Sequence, residues 1–175
     1  MKRGFGVSSG FLVVLCLVVA ACFDDGEEVP SFEEQLQKDM AAIDNYLAAN
    51  NITNTIQHQS GIRYLVVTDS AGGIKPTLDS CVTANYEGLL MANGQEFDSG
   101  ENVGFAVDEV ILGWQAILPL LNEGDSAVLF IPSVYAYGYY GFPPQIPANA
   151  NLIFNVGVKN VGSSVRTTNG VRRCE

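Results

Sequence analysis

Ser80-Cys-Val-Thr-Ala-Asn-Tyr86 alternates strictly: Val82, Ala84 and Tyr86 share one face, Thr83 and Asn85 the other. A period of two predicts a strand with one face in a core. Working outward, Glu87-Gly88 reads as a turn, after which Leu89, Leu90 and Met91 resume the apolar pattern. Asn93-Gly94 predicts a tight turn, since both residues tolerate positive φ. Residues 96–99 follow, then 100–104 as a glycine-bounded loop, with Phe105 and Val107 alternating again. Val110-Ile-Leu-Gly-Trp-Gln-Ala-Ile-Leu118 predicts a short helical stretch. Residues 122–125 read as a turn and 126–131 as a strand. The loop 132–147 carries five aromatics, Tyr135, Tyr137, Tyr139, Tyr140 and Phe142, and Leu152-Ile-Phe-Asn-Val-Gly-Val158 is the last strand. Upstream, residues 62–68 have strand character and 69–78 form a loop. Antiparallel strands with one short helix predict an α+β domain, a curved antiparallel sheet wrapped around that helix.

Further upstream, Ser31-Phe-Glu-Glu34 is a capping box, with Pro30 just before it. Phe32, Leu36, Met40, Ile43 and Leu47 recur at helical spacing and make one apolar stripe on a helix over 31–50, which Asn50-Asn51 ends. The stripe is expected to dock on the main domain and leave a monomer; pairing with a second copy is the other use of such a stripe. Residues 51–61 are a connector, and the single histidine, His58, lies in it with no role assigned.

Composition narrows the function. A chain of 175 residues with 47% hydrophobic content suits one main domain with a packed core. Nineteen acids face nine bases, a net charge of −10, which excludes nucleic acid and attachment to anionic lipid through a basic face. One histidine and four cysteines leave few soft metal ligands and no material for a histidine-based nucleophile triad, so neither metal nor cofactor is expected.

The first 21 residues read as an address. Lys2 and Arg3 precede an apolar stretch over 11–21, too short for a spanning helix of ~20 residues and suited to a secretory signal. Val19-Ala-Ala-Cys22 resembles a bacterial lipobox, with cleavage before Cys22 and a lipid on that residue. Cys16 competes for this role but follows the bulky Leu15; a plain signal peptide with an incidental cysteine is the alternative. Asp24, Asp25, Glu27 and Glu28 make 22–30 an acidic tether, either a surface-export signal or a solvated spacer. Phe23, where an aspartate would retain a lipoprotein at the inner membrane, directs the expectation to a lipid-anchored, extracytoplasmic protein of the outer membrane.

Five segments stand in order: Val82-Thr-Ala-Asn-Tyr-Glu-Gly88, Gly94-Gln-Glu-Phe-Asp-Ser99, Glu109-Val-Ile-Leu-Gly-Trp114, Ile131-Pro-Ser-Val-Tyr-Ala-Tyr-Gly138 and Ile146-Pro-Ala-Asn-Ala-Asn-Leu-Ile-Phe154. Together they resemble the FKBP-type peptidyl-prolyl cis–trans isomerases over residues 62–161, leaving 162–175 as a C-terminal tail. The resemblance implies a function. Turning an Xaa-Pro bond crosses a barrier of ~18–20 kcal/mol without breaking a covalent bond. A dry apolar pocket favours the twisted amide, which carries less charge on oxygen than the planar one. Such catalysis asks for no metal, nucleophile or histidine.

The resemblance also implies roles. Trp114 matches the floor under the proline ring, and Tyr86, Phe97 and Phe154 the aromatic walls. Val110, Ile111 and Ile146 match apolar contacts, with the Ile111 N–H a donor to a ligand carbonyl. Tyr137 matches a loop hydroxyl that binds a ligand carbonyl, and Asp98 the acid at the pocket edge. Phe105 is expected in the core. From pattern alone, Tyr86, Phe97, Phe154 and Trp114 could equally be ordinary core. Three departures stand out: Val103 where relatives carry an aromatic, Asp108 where glycine is common, and Phe142 where some carry histidine in the flap.

In this family the strand over 82–86 lies antiparallel beside the last one. The resemblance therefore places Cys81 near the tail that holds Cys174 and implies a disulfide, with two free thiols as the alternative. The expected partners are proline-containing polypeptides, and the expected task is the folding of envelope or secreted proteins. A non-catalytic proline-binding or chaperone module is the alternative.

Overall fold

The computed structural model describes residues 29–166 and 172–174; the leader, Cys22 and the acidic run 24–28 lie outside the described residues. Helix α1 spans Phe32–Ala49, capped as a true box: the Ser31 hydroxyl accepts from the Glu34 N–H while Glu34 accepts from the Ser31 N–H at 2.9 Å. Strands β1 (Ile56–Gln57), β2 (Arg63–Thr68), β3 (Ser80–Leu90) and β4 (Glu96–Ala106) precede the short helix α2 (Leu112–Ile117). Strands β5 (Ser126–Ile131), β6 (Leu152–Arg166) and β7 (Arg172–Cys174) complete the chain. The sheet order is β1-β2-β5-β6-β3-β4, every pairing antiparallel, with β7 added to β6. This is the curved sheet on one short helix, with an N-terminal helix added, that the sequence leads one to expect.

The central strands are buried on both faces. Leu129 and Ile131 of β5 and Leu152, Phe154, Val156 and Val158 of β6 join Trp114 and Ile117 of α2 in the main core. Their neighbours Phe130 and Ile153 point the other way and pack against Ile43 and Leu47 of α1. That explains why these strands read as apolar runs instead of alternating. The α1 stripe is thus spent within the chain: Leu36, Ile43 and Leu47 are buried, although Phe32 stays largely exposed. Burying each large side chain is worth about 1.5–3 kcal/mol, and Arg63 adds an ion pair to Asp44 at 2.9 Å.

Three details differ from the sequence reading. Glu87-Gly88 is no turn: β3 runs unbroken through it. Gly88 is there for space, since a Cβ would sit 2.6 Å from Phe97 Cζ and 2.8 Å from Phe154 Cε1. Residues 100–104 are not a loop but part of β4, where the register slips between the Ala84–Val103 and Tyr86–Gly100 pairs. The extra residues form a bulge, pinned by the Asn102 N–H donating to Asn85 Oδ1 at 2.8 Å. The last long strand does not stop at Val158: β6 continues to Arg166, and β7 pairs back along it. Cys81 and Cys174 are joined as a disulfide with Cα atoms 5.4 Å apart, closing a sequence separation of 93 residues. In the chain-entropy account, a loop of that size adds about 4–5 kcal/mol of stability.

Candidate active site

Trp114 sits on α2, and its placement depends on Gly113. A Cβ at Gly113 would lie 2.5 Å from Ile131 Cγ2, so only glycine lets α2 press onto β5. The helix begins at Ile111, whose extended backbone (φ −56°, ψ 149°) caps it and whose carbonyl accepts from the Trp114 and Gln115 N–H groups. An N-cap N–H has no partner inside its helix, so the Ile111 N–H is a donor free of the helical ladder. The Gln115 side chain donates to the carbonyls of Asp108 and Val110, at 3.2 and 2.8 Å, and so holds the approach to Ile111.

Around Trp114 the rings meet edge to face, with Tyr86, Phe105 and Phe154 at centroid distances of 5.7, 5.3 and 5.3 Å. Trp114 is only 3% exposed, and its indole N–H is buried without a hydrogen-bond partner, so packing alone sets the ring. T-shaped contacts are favourable for rings, yet they leave a gap. A cavity of about 370 Å³ opens there, lined by Tyr86, Asp98, Phe105, Glu109, Val110, Ile111, Trp114, Tyr137 and Phe154.

Seven of the nine residues singled out for the pocket meet in this cavity: Asp98, Tyr137, Trp114, Ile111, Tyr86, Val110 and Phe154. Phe97 and Ile146 do not line it. They line an adjoining hollow of about 280 Å³ with Phe142 and Gln145, and both spaces share Asp98 and Tyr137. Phe97 supports the wall from behind, 5.6 Å from Phe154. Phe105, expected in the core, packs against the core and also forms a wall of the cavity, 5.3 Å from Trp114. Glu109 also lines the cavity; it opens the motif Glu109-Val-Ile-Leu-Gly-Trp114, where the sequence reading assigns it no site role. Of the departures, Phe142 lies 5.8 Å from Tyr137 and is 58% exposed, while Val103 and Asp108 are not among the lining residues.

Polar groups sit at the edge. The Tyr86 hydroxyl donates to Asp98 Oδ2 at 2.8 Å. Burial, then that bond and the nearby carboxylate charge, push the Tyr86 phenol up to about 12. Burial, and after it the charge of Asp98, also raises the Tyr137 phenol. Both stay neutral donors at ordinary pH. Tyr86 is already engaged, whereas among the described residues no hydrogen bond holds the Tyr137 hydroxyl. Among the described residues, no three His, Cys, Asp or Glu side chains gather as a metal site would need.

The curved sheet closed over α2 thus holds an aromatic bowl, with Asp98, Glu109 and Tyr137 among its lining residues. The family model of FKBP-type peptidyl-prolyl cis-trans isomerases matches residues 72–159. The chain belongs to that family and is an enzyme of that type. It is 42% identical over 111 residues to FK506-binding protein 1 of Kluyveromyces lactis, covering 60% of this chain and 95% of that one. It is 40% identical over 108 residues to the probable FKBP-type peptidyl-prolyl cis-trans isomerase FkpA of Neisseria meningitidis, covering 59% of this chain and 39% of that one. The crystal structure of a peptidyl-prolyl cis-trans isomerase from Pseudomonas syringae superposes with a TM-score of 0.64 at 26% identity, covering 77% of this chain and 98% of that one.

Proposed function

We propose that the 370 Å³ cavity over Trp114 is where the Xaa-Pro bond turns. The observation that carries this is the set of rings standing edge to face around a buried tryptophan with one side open. The proline ring rests on Trp114 between Tyr86, Phe105 and Phe154. The Tyr137 hydroxyl and the Ile111 N–H donate to the carbonyls that flank the bond. The planar amide places partial negative charge on its oxygen and is best solvated by water; the twisted amide has lost that charge. Moving the bond into an apolar bowl therefore raises the planar form more than the twisted one, and the barrier between them falls. Asp98 acts through Tyr86, whose ring it fixes at the rim. No bond is broken and no proton is transferred.

The test is the isomerisation rate of short Xaa-Pro peptides with the purified full chain, beside Tyr137→Phe and Asp98→Val. Acceleration by the parent, reduced about tenfold in each variant, is the expected result. Unreduced activity in both folded variants would show that the bond turns elsewhere.

The same reading sets the enzyme outside the cytoplasm, at the bacterial envelope. Residues 1–21 are the signal, 22–30 an acidic tether and Cys22 the lipidated residue, with the outer membrane as the anchored surface. The α1 helix (31–50) and connector (51–61) then lead into the isomerase domain (62–161), and 162–175 close it. The support is the Val19-Ala-Ala-Cys22 pattern and the Cys81–Cys174 bridge, which suits an oxidising compartment. Its clients there are folding envelope or secreted polypeptides. With its apolar stripe buried on the sheet, α1 offers little to a second copy, and the enzyme works as a monomer. Labelled fatty acid should enter the parent and not Cys22→Ser; equal labelling would reject the anchor.

A further inference from the structure

Helix α1 lies outside the residues matched by the family model, yet it reaches the loop that carries Tyr137. The link is Asp39, a carboxylate only 2% exposed. Its Oδ2 accepts from the Ser133 hydroxyl at 2.6 Å and from the Val134 N–H at 3.4 Å, while Oδ1 accepts from Gln35 Nε2 at 2.8 Å. Ser133 is itself fully buried, and its N–H donates to Asn151 Oδ1 at 2.9 Å. Two turns earlier, Phe32 at the start of α1 meets the Tyr135 ring edge to face at 5.6 Å. Ser133, Val134 and Tyr135 form a single short helical turn after β5, and Tyr137 follows two residues later. The segment that delivers the Tyr137 hydroxyl to the cavity is thus held from below by a helix that lies outside the family-matched residues 72–159.

A buried carboxylate is expensive unless its oxygens are well bonded, and an apolar residue at this position of the stripe would seal the same surface. A carboxylate here gives direction. It fixes both a hydroxyl and a main-chain N–H of one turn. We propose that Asp39 is a positioning residue for the reaction, holding the Ser133–Tyr135 turn so that the Tyr137 hydroxyl stands at the substrate carbonyl. Helix α1 is by this account a strut for the catalytic loop. The inference rests on the role proposed for Tyr137.

The experiment is a double-mutant cycle on the full chain, reading kcat/KM on Xaa-Pro peptides. Asp39→Ala should lower kcat/KM about tenfold, the order expected for a small misplacement of a catalytic donor. Asp39→Asn should stay within about twofold of the parent, because its carbonyl can still accept from Ser133 and Val134 while the Gln35 amide turns to accept from the new NH₂. In a Tyr137→Phe background, Asp39→Ala should add nothing. Asp44→Ala, which breaks only the exposed ion pair of the same helix with Arg63, should leave kcat/KM unchanged. Full activity in Asp39→Ala, an Asn variant as impaired as Ala, or a loss that multiplies with Tyr137→Phe would overturn the inference. Full activity in Tyr137→Phe would overturn the underlying assignment together with it, whereas loss there with an intact Asp39→Ala overturns the strut alone. If Asp39→Ala does not fold, Ser133→Ala cuts the same bond from the other end and carries the same expectations.

Discussion

The two faces of β5 and β6 are built from alternate residues of the same strands, yet they do opposite things. On the outer face, Phe130 and Ile153 meet Ile43 and Leu47 of α1 in a closed patch. On the inner face, Leu129, Ile131 and Phe154 meet α2, and there the packing stops short of closure and leaves a cavity. The difference lies in side-chain packing. On the outer face the Tyr46 and Phe130 rings are tilted at 48° and Ile43, Leu47 and Ile153 fill the space around them, whereas around Trp114 three rings meet edge to face and keep a bowl open. A sheet sealed on one side can hold a rigid opening on the other.

Trp114→Ala should produce the largest effect. Truncating a buried tryptophan costs about 3–5 kcal/mol of stability, and removing the floor should cut kcat/KM about a hundredfold. Urea unfolding beside the peptide assay reads both. A folded variant that keeps its activity would mean that the inner face, like the outer, serves stability alone. Ile43→Ala comes next and is the matched cut on the other side. It should cost about 2–5 kcal/mol while kcat/KM stays within about twofold, because the Asp39 contact to Ser133 remains. Activity lost in step with stability would break the contrast between the faces.

Much of this contrast can be read in the residues themselves. Ser31 and Glu34 fix where α1 starts, because a capping box has few other uses, and the 36/43/47 spacing gives its buried side. The seven residues that meet in the cavity are legible only through family motifs, since from periodicity alone Tyr86 and Phe154 are simply core. The failures share a cause: a local signal was overruled by a distant neighbour. Gly88 looks like punctuation, but it makes room for Phe97 and Phe154, which arrive from other strands. The glycines at 100 and 104 suggest a loop, but β3 pairs with them across a bulge. Asp39 falls three residues after Leu36 and four before Ile43, squarely inside the apolar stripe, and that spacing was the available sign of a buried carboxylate. Its partner Ser133 is 94 residues away, and no local rule reaches that far.

The smallest effect concerns the hydrogen bond between the Tyr86 hydroxyl and Asp98 at the edge of the bowl. Tyr86→Phe deletes the bond to Asp98 and should cost about 1 kcal/mol. The pH dependence is more telling than that loss. The Tyr86 phenol stands at about 12 in the fold against an ordinary value of 10.0, so folding favours its protonated form. Its contribution to stability is then complete below pH 10 and is lost as pH rises through 12. The raised Tyr137 phenol acts in the same direction. Urea midpoints of the parent should therefore decline above pH 10, and the decline should be shallower in Tyr86→Phe, which has one phenol fewer to ionise. Ile43→Ala removes no phenol and should shift the whole curve down without changing its slope. Should Tyr86→Phe keep the parent's slope, the Tyr86–Asp98 bond is not holding in solution. The rim of the bowl would then owe its shape to ring packing alone, as its floor does.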